Sequence, residues 1–252
     1  MQWEQLTAPD FGRAVRETGV CVLAIGVLER HSEHLPLGTD YLNAHKIASM
    51  AAEREAAVVF PPFYFGQIYE ARCFPGAVTL RPTLLVEVIQ GVLDEIGRNG
   101  FGKVILYSGH GGNHHLVRFL AQSTLWEEKP YSLYLLDDRL TPEREERWQG
   151  VLDTKAHGHA CECETSISLA NHPALVKMAA VPPQPATPLK RTESVGAFTG
   201  IGWYSNYPEH YAGDARPATA EKGRVLRELQ VETLAEFIAA VKADTVTEKN
   251  ST

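Results

Sequence analysis

At 252 residues with a net charge of −7, the chain is long enough for one large domain with a sizeable core, and its acidity argues against nucleic acid or an anionic membrane as a main partner. No apolar run of about 20 residues offers a membrane span, and four cysteines make no disulfide framework in a chain this long. The opening MQWEQLTAPDFG lacks the basic-then-apolar order of a secretory signal, so the expected compartment is cytoplasmic.

Residues 10–18 form a short predicted helix, with Asp10 as N-cap and Gly19 past its end. The apolar run at 20–28 reads as a buried strand. It empties into LERHSEHLPLGTD at 28–40, which holds Glu29, His31, Glu33, His34 and Asp40. In open α/β sheets, ligands bind at the carboxyl ends of strands. Asp40 also suits the N-cap of a helix over 41–56. A second strand, 57–63, closes on Pro61 and Pro62. The loop behind it carries Glu70, Arg72 and Cys73 and ends in a Phe-Pro-Gly turn.

A helix runs from Thr83 to a stop at Gly100, with Leu85, Ile89, Leu93 and Ile96 on its core face. Strand 103–109 follows and runs into HGGNHH and a helix at 116–126. The two glycines let backbone approach a ligand closely. A phosphate cradle there is disfavoured, because the loop lacks the lysine and hydroxyl residue of a P-loop. His114 and His115 are expected to start the helix as capping or supporting groups.

Beyond these lie a strand at 131–137, a charged surface helix at 141–152, and HGHACECETSISLA at 157–170 with a helix from 164. Residues 172–216 are rich in proline but carry Trp203, Tyr204, Tyr207 and Tyr211. Such aromatics are costly to expose, so the stretch reads as an ordered excursion. An amphipathic helix over 218–242 and a frayed tail at 243–252 complete the chain. Strands alternating with helices predict an α/β fold: a single domain over 1–242, with a mostly parallel central sheet layered between helices.

Of ten histidines, seven fall in three short segments: His31 and His34; His110, His114 and His115; His157 and His159. Clusters at successive strand-to-helix loops point to a metal or acid/base site. Carboxylates with imidazoles are the donor set for Zn²⁺, Mn²⁺ or Fe²⁺. Glu29 and His31, two apart, can face one way on extended backbone. Glu29, His31, Asp40, His110 and Glu164 would supply about three donors to each of two cations if Asp40 bridges. The competing reading is a set of unrelated capping and surface residues, since spacing alone does not show convergence. Cys161 and Cys163 with His159 make a weaker thiolate-zinc alternative, because no second cysteine pair completes four ligands.

Three ordered motifs, Glu29–Asp40, Gly109–Asn113 and His159–Ser166, resemble the creatininase (creatinine amidohydrolase) family. Phe74-Pro75-Gly76 and ATAEKG at 218–223 extend the resemblance over roughly residues 20–225. It implies a three-layer α/β/α sandwich with a binuclear centre, usually zinc or manganese, that hydrolyses amide-type bonds of small molecules. It also implies homo-oligomers, commonly hexamers. Carried over by motif, Glu29, Asp40 and His110 would hold one cation, and His31, Asp40 and Glu164 the other. In creatininase itself a glutamate within G-H-x-E-N serves the second cation; here that position is Gly112. His159 resembles the catalytic histidine, and Glu70 is a second candidate proton carrier. His34, Arg30, Arg72 and Asn113 are expected to support the donors or face substrate. The chain departs from the family at Arg30, Ser32 and Glu33, at Cys161, and at Ile68–Ala71. These departures imply a substrate other than creatinine. Cleavage of a C–C bond in a keto-cyclitol is the second enzymatic reading, and a metal-stabilised binding module the non-catalytic one.

Overall fold

The computed structural model describes residues 1–136, 140–155 and 157–246. The last position of the predicted 131–137 strand and the tail from 247 onward lie outside the described residues. The strands are β1 (Val20–Ile25), β2 (Val58–Val59), β3 (Lys103–Ser108) and β4 (Ser132–Leu135). All pair in parallel, in the order β2-β1-β3-β4. The helices are α1 (Ala8–Thr18), α2 (Thr39–Arg54), α3 (Pro82–Arg98), α4 (His114–Ser123), α5 (Pro142–Val151), α6 (Glu162–Asn171), α7 (Gly202–Asn206) and α8 (Ala220–Ala243). Among the described residues, no helix is long and apolar enough to cross a membrane.

The sheet is covered on both faces, so the architecture is the expected three-layer sandwich. Cys21, Leu23 and Ile25 of β1 join Val104 and Leu106 of β3 beneath α1, α3 and α4. Val20, Val22 and Ala24 join Ile105 and Tyr107 beneath α2 and α8. β1 is buried throughout, which is why its sequence runs apolar without alternation. Each large side chain sealed here contributes about 1.5–3 kcal/mol of burial.

The register fixes the site. Ile25 is the partner of Ser108, so β1 and β3 end level and their loops leave the sheet side by side. Glycine terminates both strands. A Cβ on Gly26 would lie 2.3 Å from the Tyr41 backbone nitrogen, and one on Gly109 2.7 Å from the Asp40 carbonyl oxygen. Only glycine lets the first turn of α2 settle onto this edge.

Several boundaries differ from expectation. Thr7, not Asp10, caps α1: its Oγ1 accepts from Asp10 N, and Asp10 sits inside the first turn. Likewise α2 is capped by Gly38 without a side-chain bond. Asp40 lies in its first turn with its carboxylate committed elsewhere, so it is not a cap. β2 keeps two residues of the predicted seven because Pro61 and Pro62 cannot donate to a ladder. α3 starts at Pro82, whose missing N–H costs nothing at a first helical position. α4 and α6 each begin two residues early.

Candidate metal centre

Five side chains from four segments meet at the β1–β3 edge. Glu29 and His31 come from the loop after β1, Asp40 from α2, His110 from just beyond β3, and Glu164 from the first turn of α6. Donor atoms of Glu29, Asp40 and His110 all lie within 4.8 Å of one another, and so do those of His31, Asp40 and Glu164. Asp40 belongs to both groups, with Oδ1 3.0 Å from His31 Nε2 and Oδ2 3.1 Å from His110 Nδ1. Glu29 Oε1 is 2.9 Å from the same His110 nitrogen.

The outer hydrogen bonds decide what these imidazoles present. His110 Nε2 lies 3.0 Å from the Gln67 carbonyl, and His31 Nδ1 3.3 Å from the Glu29 carbonyl. Carbonyls only accept, so those nitrogens carry the protons. In their neutral form the rings would therefore turn lone pairs toward the carboxylates. Acceptors facing acceptors call for a cation. Glu29 Oε1 and Asp40 Oδ2 are moreover buried without a hydrogen-bond partner, a costly state for a carboxylate. The donor set thus fits a divalent metal on the observed geometry.

The same carboxylates also favour a proton on these rings, positive charge that a bound cation would replace. Burial opposes charge on His31, yet Asp40, Glu29 and Glu164 raise its pKa to about 10. His110 is likewise raised well above the usual range, against burial, by Glu29 and Asp40. Burial works against a charged Glu29 too, but His110 and the hydrogen bond from His210 hold it well below the ordinary carboxylate range. Burial and the nearby Cys161 sulfur push Glu164 up to about 8.

His159 stands over this edge. Its ring centroid is 4.2 Å from that of His31 and 4.6 Å from that of His210. Its Nε2 donates to the Arg30 carbonyl at 2.8 Å. Burial, with His31 alongside, pushes its pKa down to about 3, so the ring is neutral. A cavity of about 320 Å³ opens here, lined by Glu29, Glu70, His110, His159, Glu164, Trp203 and His210. Ser32, Ala160 and His210 adopt positive φ of 54°, 53° and 52°. Left-handed backbone at non-glycine residues clusters where a site dictates the chain path.

Some expected residues arrive in other roles. The Arg30 guanidinium is engaged by Glu33 at 2.6 Å and Glu209 at 3.2 Å, and lies over the Phe74 ring. It does not face a substrate; Arg30 contributes its carbonyl. Arg72 is exposed and outside the cavity wall. Glu70 reaches the cavity and accepts from Gln67 Nε2 at 2.8 Å. His34 is buried, with Nε2 2.9 Å from Thr165 Oγ1, next to Glu164. Asn113 accepts from Gln67 N at 2.8 Å and so holds the loop whose carbonyl orients His110. Glu162 turns to Lys222 and to Asp153 and Thr154 backbone nitrogens; two positions apart on a helix, it and Glu164 face opposite ways. His114 and His115 are exposed against each other and support nothing in the centre. A Cβ at Gly112 would fall 2.4 Å from His110 Nε2, so no glutamate fits there with His110 in this pose.

His210 and Trp203 join the centre without a motif of their own. His210 Nε2 lies 2.6 Å from Glu29 Oε2, and Trp203 stands edge-on to His159 at 6.1 Å. His210 belongs to no histidine cluster and lies in a proline-rich stretch; the flanking aromatics are the signal that this stretch folds back.

Comparison with known proteins places the chain in a class. The model of the creatininase family, described as creatinine amidohydrolase, matches residues 4–238. The chain belongs to the creatininase family and is a hydrolase of that family. It is 26% identical to creatinine amidohydrolase of Pseudomonas putida, over 87% of this chain and 88% of the relative. It is 23% identical to 3-dehydro-scyllo-inosose hydrolase of Thermotoga maritima, over 88% of this chain and 77% of the relative. A solved mutant creatininase of Zn–Zn type superposes with TM-score 0.79 at 21% identity, covering 96% of this chain and 98% of that one. At that identity the structural likeness speaks for the fold.

Proposed function

We propose that this chain is a binuclear-metal hydrolase that cleaves a C–N bond, an amide or cyclic amide, in a small polar substrate. The observation that carries the reading is the double membership of Asp40 in two three-residue donor groups at one sheet edge. Glu29, Asp40 and His110 would hold one cation, and His31, Asp40 and Glu164 the other. Zinc is the cation of a solved relative, and manganese suits the same carboxylate–imidazole set. Two such ions supply Lewis acidity for a carbonyl and an acidified water.

The chain's own residues supply the rest. His159, anchored through Nε2–H on the Arg30 carbonyl, keeps Nδ1 as its basic nitrogen. It takes a proton from the attacking water and returns it to the leaving nitrogen, a role worth about 10²–10⁴-fold. Trp203 walls His159 from solvent, and His210 fixes the Glu29 carboxylate. Glu70, paired with Gln67 on the cavity wall, orients polar groups of the substrate. A volume of about 320 Å³ suits a small molecule.

The Glu70–Gln67 edge also favours a second reading, cleavage of a C–C bond in a hydroxyl-rich keto-cyclitol, the substrate type of the Thermotoga maritima relative. Zinc- or manganese-loaded enzyme assayed against cyclic amides and keto-inositols separates the two. The primary reading expects amide products, with His159→Ala lowering kcat by about 10²–10⁴-fold while metal is retained. Turnover of keto-inositols alone would install the second reading, and failure to bind either metal would end both.

A further inference from the structure

The loop that carries His159 gathers a second donor set of different chemistry. A ring nitrogen of His157 and the sulfurs of Cys161 and Cys163 all lie within 4.8 Å of one another. The sulfurs are 3.2 Å apart. Two local features bring them together. Cys161 is the residue before α6 and Cys163 lies in its first turn, so both thiols hang at one helix start. Ala160, at φ 53°, turns the chain so that His157 returns over Cys161.

We propose that His157, Cys161 and Cys163 bind a thiophilic d¹⁰ cation, of which Zn²⁺ is the reference, separately from the carboxylate–imidazole centre. The donors are two sulfurs and one nitrogen, the soft set that selects zinc and its heavier relatives over manganese or magnesium. The His157 ring is already oriented to ligate. Its Nε2 is 3.3 Å from Gln149 Oε1, which leaves Nδ1 free to face the sulfurs. An outer acceptor on the far nitrogen is the usual support for a metal-bound imidazole. Backbone N–H groups of Gly158 and Cys163 already point at the Cys161 sulfur and would remain on it as supporting bonds. Tetrahedral zinc with Zn–S near 2.3 Å sets sulfurs roughly 3.8 Å apart. The partly buried Cys163 side chain needs to move only by roughly 0.6 Å, a small torsion.

The balance is simple. Two thiols lose their protons to solvent, two Zn–S bonds and one Zn–N bond form, and the two thiolate charges cancel that of the ion. The new neutral unit adds no charge beside Glu164. His157 is exposed, which gives the ion an entry and leaves its fourth position to water. The other two cysteines are elsewhere: Cys21 is sealed in β1 and Cys73 is exposed in the loop of Glu70.

The test uses the full chain, thiols reduced and metal stripped, titrated with Co²⁺ as a visible substitute for Zn²⁺. A sulfur-to-cobalt charge-transfer band is expected in the near ultraviolet. It should vanish in Cys161→Ser/Cys163→Ser, persist in Cys73→Ser, and need at least tenfold more Co²⁺ in His157→Gln, an exposed change that spares folding. Zinc-loaded protein should lose one ion per chain in the double serine variant. A centre of nitrogen and oxygen donors gives no such band, so the result is independent of the proposed function. Absence of the band in the reduced wild type, or its survival in the double serine variant, overturns the proposal.

Discussion

The loop over residues 28–40 and the excursion over 172–216 meet at the same centre but reach it by different physics. The loop leaves a fully buried strand whose register with β3 is set over six residue pairs. Glu29, His31 and Asp40 are therefore positioned by the sheet itself. The excursion has no strand of its own. It is tied down by a satellite core of Leu35, Ala160, Tyr211 and Ala215, by Lys177 N donating to the His34 carbonyl at 2.8 Å, and by the Arg30–Glu209 pair. The loop offers donors that the sheet orients. The excursion offers His210 and Trp203, held by contacts to that loop. The sheet edge thus builds the centre, and the excursion completes and shields it.

The sharpest way to break this division is Asp40→Ala. Asp40 faces both His31 and His110, so its loss should empty both cation positions together. Activity should fall by roughly 10⁴-fold or more, as when residues act as one unit. Metal analysis alongside circular dichroism checks it. A folded variant that keeps two ions per chain would remove Asp40 from the bridging position and dissolve the double-group assignment.

The same division explains what the sequence made legible. A buried strand followed at once by carboxylates and imidazoles announces a site, and the alternation of strands and helices announces the sandwich. Asp40 is harder, because its place suggests a helix cap. Only the close approach at Gly26 and Gly109 shows why its side chain turns to the centre instead. Arg30 reads as a substrate-facing cation, but its partner Glu209 lies 179 positions away, and no local pattern carries that information. His210 escapes for the same reason. It is 181 residues from Glu29, and an isolated histidine in a proline-rich segment has no periodicity to betray it. Cys161 and Cys163 are visible as a pair, but His157 rather than His159 joins them, because His159 is turned toward the Arg30 carbonyl.

His210→Ala tests the excursion's share. It removes the partner of Glu29 Oε2 without touching any of the five proposed donors. Losing such an outer partner typically costs 10–100-fold in metal affinity. The variant should remain folded, bind zinc about 10–100-fold more weakly in competition with a chelator, and recover activity in excess metal. An affinity unchanged from the wild type would mean that the sheet edge suffices alone and that the excursion only shields.

The smallest expected effect lies where the two regions touch, at His34. Burial, reinforced by His31, lowers its pKa to about 4 from an ordinary 6.5. The unfolded chain therefore binds a proton below pH 6.5 that the folded chain refuses until about pH 4. With more protons on the unfolded side, stability rises with pH through that window. The contribution is full above 6.5 and is lost as pH falls toward 4. His34→Gln keeps a polar group near Thr165 but cannot titrate. It should flatten the wild-type loss of melting temperature between pH 6.5 and 4, by about 2–4 °C for each kcal/mol involved. Thermal melts of both proteins across that range decide it. If both lose melting temperature equally, His34 is not the proton-sensitive joint between loop and excursion.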